Sequence, residues 1–128
     1  MHTASASTYK IVQKENYAEV HASGKLSPWD FLEIIYRLHR ADPKKEKPDL
    51  WVFDKNVDFP LHSFPRLAQG VMNLLIRSAI KEGCRSAILT ADEFQKAKAE
   101  LYCAEAAFLP FEVRAFTDRS QALAWLLN

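Results

Sequence analysis

The hydrophobic pattern of this chain alternates between short apolar runs and longer stretches with helical spacing. Residues 9–12 and 17–22 are β-rich and are separated by the polar residues 13–16, which predicts a β-hairpin. In the second run the small apolar residues Ala18, Val20 and Ala22 share one face, and Tyr17, Glu19 and His21 share the other. We therefore expect His21 to be a solvated strand residue and not a ligand.

The next stretch predicts a helix from Pro28 to about Ala41, with Ser27 as N-cap. One wide arc of this helix is apolar and should pack inward: Phe31, Leu32, Ile34, Ile35, Leu38 and His39. Trp29 and Tyr36 lie at the edge of that arc. They are expected to border the core, and an aromatic platform for a ligand is the alternative.

Residues 50–53 form a short run of bulky apolar residues that ends at Asp54 and is followed by a loop and an apolar helix over 64–82. This is a βα unit, and function in such folds tends to lie just past the strand's carboxyl end. Residues 54–64 are therefore the first place to look for a site. The helix also carries a second apolar stripe, Met72, Ile76 and Ile80, which predicts contact with a neighbouring helix or with a second copy in a homodimer.

Strands are predicted at 85–90 and 112–116. Between them a helix capped by Asp92 or Thr90 runs to about residue 107, and its narrow apolar seam is expected to approach the sheet closely: Phe94, Ala97, Leu101, Ala104 and Phe108. A last helix, capped by Asp118, is expected to close the core with Ala122, Leu123, Trp125, Leu126 and Leu127.

The order of elements is ββαβαβαβα, which predicts a single α/β domain with a mixed, mostly parallel five-stranded sheet and flanking helices. The first strand should be antiparallel, because βαβ crossovers favour parallel pairing and a hairpin excludes it. The domain is expected to span 9–128, with 1–8 a flexible N-terminal segment.

Charge and composition narrow the function classes. Lys and Arg number 17 against 16 Asp and Glu in 128 residues, so no net field draws the chain to nucleic acid. No window approaches the ~20 apolar residues of a membrane span, and we expect a cytoplasmic protein. Cys84 and Cys103 are expected to be packing residues. The histidines lack metal-ligand spacing and only three glycines are present, so neither a metal nor another cofactor is predicted.

Several segments together resemble a known family. They are Gly24-Lys25-Leu26-Ser27 before the first helix, the strand ending at Asp54, the strand around Ala87-Ile88-Leu89, and the most specific piece, residues 109–116 followed by Ala122-Leu123-Ala124-Trp125-Leu126. From Tyr9 onward the chain is similar to the STAS-like bacterial family, which is related to sporulation anti-sigma-factor antagonists and to CRAL-TRIO lipid-binding domains.

This resemblance implies a non-enzymatic role, either in protein–protein regulation or in binding a small lipophilic molecule. In the antagonists, a serine at the start of the helix after the third strand is phosphorylated to break partner binding. Ser63 falls at about that place. The antagonists carry an Asp-Ser-Ser-Gly-like sequence there, whereas this chain has His62-Ser63-Phe64-Pro65. Ser63 is also a good helix N-cap, and a phosphate is tolerated at a helix N-terminus.

Three functional hypotheses follow. The first is a STAS-like interaction domain whose partner contacts the loop after the third strand, through Asp54, Asp58, Phe59, Leu61, His62 and Ser63. The second is a module for a small lipophilic ligand, held between that loop and Trp29 and Tyr36. The third is a hydrolase-like site at His62 and Ser63, which the absence of a GxSxG elbow disfavours.

Overall fold

The computed structural model describes residues 8–41, 47–57, 69–70, 85–105 and 112–128. Its elements are β1 (Thr8–Gln13), β2 (Ala18–Ser23), α1 (Pro28–Ala41), β3 (Asp49–Phe53), β4 (Arg85–Leu89), α2 (Glu93–Glu105), β5 (Glu112–Phe116) and α3 (Arg119–Leu126). Each agrees with its predicted counterpart to within about two residues. Most of the helix predicted over 64–82 lies outside the described residues, as do residues 1–7. Gln69 and Gly70, which are described, are helical.

The five strands form one sheet in the order β1-β2-β3-β4-β5. β1 pairs with β2 antiparallel, and the three remaining pairs are parallel. The mixed sheet and its antiparallel first strand are therefore confirmed. The parallel strands place their carboxyl ends along one edge, where β2 ends at Ser23 and β3 at Phe53.

One face of the sheet, called here the first face, packs against α1 and α2. Phe31, Ile34 and Leu38 of α1 are buried there, as the helical pattern predicted. Trp51 and Phe53 extend from β3 toward them. The phenyl ring of Phe31 stacks with the indole of Trp51 at a centroid distance of 5.6 Å and meets Phe53 edge-on at 6.1 Å. This aromatic cluster is the centre of the larger core.

The start of α1 follows the predicted cap. The Asp30 backbone N–H donates to Ser27 Oγ at 3.2 Å, and the Ser27 N–H donates to Asp30 Oδ2 at 2.8 Å. These reciprocal bonds satisfy two backbone donors that a helix start otherwise leaves open. Further along α1, a Cβ added at Gly70 would lie 2.9 Å from Leu32 Cδ1, so the backbone at Gly70 approaches α1 closely.

The prediction for α2 is wrong about which face packs. Its buried residues are Gln95, Ala99 and Tyr102. Phe94 is 72% exposed and Leu101 is 52% exposed. The described part of the apolar seam, residues 94–104, thus faces away from the sheet, because α2 presents Ala99 and Tyr102 to the first face instead. Phe108 lies outside the described residues. Asp92 is the N-cap, since its Oδ1 accepts the Gln95 N–H at 2.8 Å.

The second face of the sheet packs against α3. Ala122 and Leu126 are buried against Leu50 and Ala87, while Leu123 and Trp125 are partly buried beside them. The prediction that Leu127 closes the core is wrong, because this residue follows the helix and is 47% exposed. Asp118 is the predicted N-cap and accepts the Gln121 N–H.

Cys103 packs, half-buried, against the first-face core. Burial raises the pKa of its thiol to about 11, so the group is protonated at neutral pH. This agrees with the predicted packing role; Cys84 lies outside the described residues. Among the helices the structure describes, none is both long and apolar enough to cross a lipid bilayer.

Candidate functional site

A groove of about 330 Å³ lies at the carboxyl ends of β2 and β3, against β1. Its lining combines the start of β1, the end of β2 and the end of β3: Thr8, Tyr9, Lys10, His21, Ala22, Ser23, Val52 and Asp54. The side chains of Lys10, His21 and Asp54 are all exposed, so the groove is open to solvent along its length. We call it the β1–β2 groove. It offers hydrogen-bonding groups and both signs of charge to an incoming molecule.

The register of the hairpin formed by β1 and β2 places the side chain of Lys10 in this groove. Lys10 of β1 lies directly opposite His21 of β2. Residues opposite each other in an antiparallel pair direct their side chains to the same face. Lys10 and His21 therefore form one polar surface, at the side of the sheet that α3 reaches through Arg119.

Asp54 is held in the groove by the turn that follows β3. Its Oδ1 accepts the Asn56 N–H at 2.8 Å, and its carbonyl oxygen accepts the Val57 N–H at 3.1 Å. Side-chain oxygens of aspartate commonly close such turns. Because these bonds form within four residues, the sequence itself encodes the position of this carboxylate.

The buried side chain of Gln95, on α2, also holds the turn after β3 in place. Gln95 Nε2 donates to the Asp54 carbonyl at 2.9 Å and to the Val57 carbonyl at 3.1 Å. Its Oε1 accepts the Ala91 N–H at 2.7 Å. Gln95 is 5% exposed, and all three hydrogen bonds are to backbone groups. One glutamine thus ties the loop after β3 to the start of α2.

Beside the groove, Glu19 is only 4% exposed despite its charge. Its Oε1 accepts from Arg119 of α3, and its Oε2 lies 2.5 Å from His21 Nε2. Since an ionised carboxylate can only accept, His21 Nε2 is the donor in this contact. Tyr17 adds a longer hydrogen bond of 3.3 Å to Oε1. We call these four residues the Glu19 cluster.

Burial by itself raises the pKa of Glu19, because it penalises the charged form. Hydrogen bonds from Arg119 and His21, with the charge of Arg119, outweigh this effect and lower the pKa below its usual value of 4.5. The same contact with Glu19 raises the pKa of Arg119. The pair is thus ionised at neutral pH and joins β2 to α3 across 100 residues of sequence.

The lowered pKa of Glu19 predicts acid sensitivity of the fold. A carboxyl whose pKa is depressed in the folded state stabilises it above the unfolded pKa, and this stabilisation is lost as the pH falls through the folded pKa. Below pH 4.5, stability should therefore fall in the wild type and fall less steeply in Glu19→Gln. At neutral pH, Glu19→Gln should lose about 1 kcal/mol, a modest cost because Arg119 is half-exposed.

Urea unfolding at a series of pH values measures both quantities. The control is Glu15→Gln, at the exposed turn between β1 and β2. It tests whether the loss of any carboxylate reduces the pH dependence of the free energy of unfolding. If the curves of the wild type and Glu19→Gln ran parallel below pH 4.5, the assignment of acid sensitivity to Glu19 would be wrong.

The predicted site residues fall into two groups. Asp54 lines the groove, and Tyr36 is 50% exposed on α1 with the Arg40 guanidinium 5.8 Å from its ring centre. Tyr36 is not among the residues that line the groove. The side chain of Trp29 and the residues Asp58, Phe59, Leu61, His62 and Ser63 lie outside the described part of the chain, as do Met72, Ile76 and Ile80. Their roles remain predictions.

Sequence reasoning missed the Glu19 cluster. The alternation along the second strand correctly placed Glu19 and His21 on one polar face, and His21 is exposed as predicted. The pattern did not indicate that Glu19 is buried. No local signal connects Glu19 with Arg119, because the two are joined only when α3 packs on the second face. Among the described residues, no three His, Cys, Asp or Glu side chains converge as metal ligands would.

Comparison with known proteins identifies the fold. No protein-family model and no curated protein matches the chain. A solved structure does: an uncharacterised protein of the DUF3478 family from Shewanella loihica PV-4, described as having a SpoIIAA-like fold. The two chains are 21% identical over 98% of each, with a TM-score of 0.53. The chain thus has the SpoIIAA-like, STAS-like fold that the resemblance of its sequence implied.

Proposed function

We propose that this chain is a non-enzymatic regulatory domain of the STAS type, which binds a protein partner through the β1–β2 groove and the turn at Asp54. The SpoIIAA-like fold supports a regulatory role of this class. The observation that carries the proposal is the solvent-open groove with exposed Lys10, His21 and Asp54. It lies at the carboxyl ends of parallel strands, where open α/β sheets commonly bind their ligands.

The character of the groove favours a protein over a small lipophilic molecule. Sites for small ligands are mostly apolar and bury most of the ligand's surface. The β1–β2 groove instead exposes a cation, an anion and an imidazole along an open surface. Such groups give specificity and orientation to a protein interface, where a partner of complementary charge pattern pairs with them.

Gln95 supports the same reading of the site. Partner surfaces that bind without rearrangement rely on loops held in place before binding. The two bonds from Gln95 Nε2 hold the turn at Asp54 in the free protein. The turn can therefore meet a partner without the entropic cost of first becoming ordered.

The test is affinity capture from a lysate of the source organism, followed by measured binding of each captured protein to purified variants. Lys10→Glu and Asp54→Lys should each weaken binding of the true partner by about tenfold or more, since each reverses a charge at the contact. Lys96→Glu, on the helix that packs against the first face, is the control and should bind as the wild type does.

Two outcomes would overturn the proposal. The first is a partner that binds the wild type and both groove variants equally. The second is the absence of any captured protein together with a small-molecule adduct in native mass spectrometry, which would favour the lipophilic-ligand alternative. Peptide mapping of the same sample by mass spectrometry tests the phosphorylation that the resemblance implies at Ser63, which would appear as a covalent phosphate on that residue.

A further inference from the structure

Helix α2 has two apolar faces, and the sheet uses only one of them. Ala99 and Tyr102 pack into the first-face core. The opposite side of the helix has four exposed apolar residues: Phe94, Ala97, Leu101 and Ala104. Phe94 is 72% exposed and Leu101 is 52% exposed. The largest contiguous apolar patch on the surface of a monomeric protein is often a functional surface. We call this line the α2 seam.

The spacing of the α2 seam is that of a helix-pairing surface. Its residues follow one another at steps of three, four and three positions, the a and d pattern of a heptad repeat. A seam with this average period of 3.5 residues fits against a second helix that runs almost along it.

The order of side chains makes the seam complementary to itself. Large and small residues alternate along it as Phe94, Ala97, Leu101 and Ala104. When two such helices run antiparallel about a two-fold axis that crosses the seam between Ala97 and Leu101, Phe94 of each lies against Ala104 of the other. In the same arrangement Ala97 lies against Leu101. Every layer then pairs one large and one small side chain, which is how facing helices interdigitate. A parallel arrangement would set Phe94 on Phe94 and Ala97 on Ala97.

We infer that the α2 seam is an interface between two copies of this chain, which pair through antiparallel α2 helices. The two-fold arrangement is the closed, isologous form that most homodimers adopt. The seam offers a few hundred Å² of apolar surface per copy, whereas a stable interface buries roughly 800 Å² per partner. The dimer is therefore weak and concentration-dependent, with a dissociation constant on the order of 0.1 mM.

Sedimentation equilibrium of the wild type at increasing concentration measures this association. Leu101→Glu should weaken it at least tenfold, because it places a charge in the centre of the seam. Leu127→Glu is the matched control, since Leu127 is exposed to a similar degree, 47%, on a different part of the surface. Phe94→Lys is a second seam variant at the most exposed position. Circular dichroism checks that each variant is folded.

The antiparallel register has its own test. Ala97→Lys and Leu101→Glu should each abolish pairing alone, but an equimolar mixture should pair again. In the mixed dimer the lysine introduced at position 97 of one copy faces the glutamate introduced at position 101 of the other. At the second, equivalent contact the native Leu101 faces the native Ala97. A parallel dimer would gain no such pair. The inference is overturned if the wild type remains monomeric at about 1 mM, if Leu101→Glu associates as well as Leu127→Glu, or if the mixture fails to pair.

Discussion

Replacement of Phe31 by alanine is expected to lower the free energy of unfolding by about 3–5 kcal/mol, the usual cost of removing a buried phenyl ring. Phe31 is 4% exposed and lies between α1 and the sheet. Its ring contacts Trp51 at 5.6 Å, Phe53 at 6.1 Å and Tyr102 at 6.4 Å between centroids. The substitution therefore removes three aromatic contacts as well as apolar area, and leaves a cavity that the rigid rings around it cannot fill.

Urea unfolding followed by the fluorescence of the three tryptophans measures this loss, and one of them, Trp51, stacks on Phe31. Phe94→Ala is the matched control, because it removes the same atoms from a ring that is 72% exposed. That variant should change the free energy of unfolding by less than about 1 kcal/mol. Equal losses in the two variants would contradict the position of Phe31 at the centre of the core.

The second large effect is expected at Gln95. Gln95→Glu keeps the shape of the side chain but replaces the Nε2 donor by an oxygen that faces the carbonyls of Asp54 and Val57. At pH 7 we expect a loss of about 2–3 kcal/mol, since both carbonyls lose the bond from Nε2 and a carboxylate is placed against them. Hydrogen exchange should rise at the Val57 amide, because the turn is no longer fixed from α2.

The pH dependence of Gln95→Glu distinguishes this cause from simple misfit. Burial and the facing carbonyls favour the protonated acid and so raise the pKa of the introduced carboxyl in the folded state. A group with a raised pKa stabilises the fold below its unfolded pKa of about 4.3 and loses that contribution as the pH rises. The variant should therefore lose stability relative to the wild type between about pH 4 and pH 7.

Gln121→Glu, an exposed glutamine in the first turn of α3, is the control. It should stay within about 0.5 kcal/mol of the wild type at every pH. If Gln95→Glu followed the wild type across the same range, the hydrogen bonds from Nε2 would not be what holds the turn. The result matters for the proposed function, because Asp54 is part of that turn.

The same glutamine connects stability to the candidate site. Gln95→Glu leaves Lys10 and His21 in place but loosens Asp54. Partner binding that depends on the whole groove should therefore weaken in this variant without a change in the charged groups that face the partner. Binding that depends on Lys10 alone should not change. The two cases distinguish a contact spread over the groove from one confined to β1.

Much of the fold followed from local patterns in the sequence. Two β-rich runs separated by a polar turn predicted β1 and β2 as a hairpin, and the apolar arc of α1 correctly named Phe31, Ile34 and Leu38 as buried. Asp118 and Ser27 were correctly predicted as helix caps. Each of these features depends on contacts within a few residues or on a periodicity that one element carries alone. Asp54 was found for the same reason, since it ends a strand and closes its own turn.

Only the tertiary structure decided the features that depend on two segments far apart in the sequence. The buried position of Glu19 required Arg119 from α3, and the buried Gln95 required carbonyl groups in the turn after β3. A polar residue on a periodic pattern is indistinguishable in sequence from a solvated one until its partner is known. The seam of α2 was read correctly as apolar but assigned to the wrong face. The sequence of a helix with two apolar faces does not show which face will pack against the sheet. The shape of the core decides this, because Ala99 and Tyr102 fit beside Phe31.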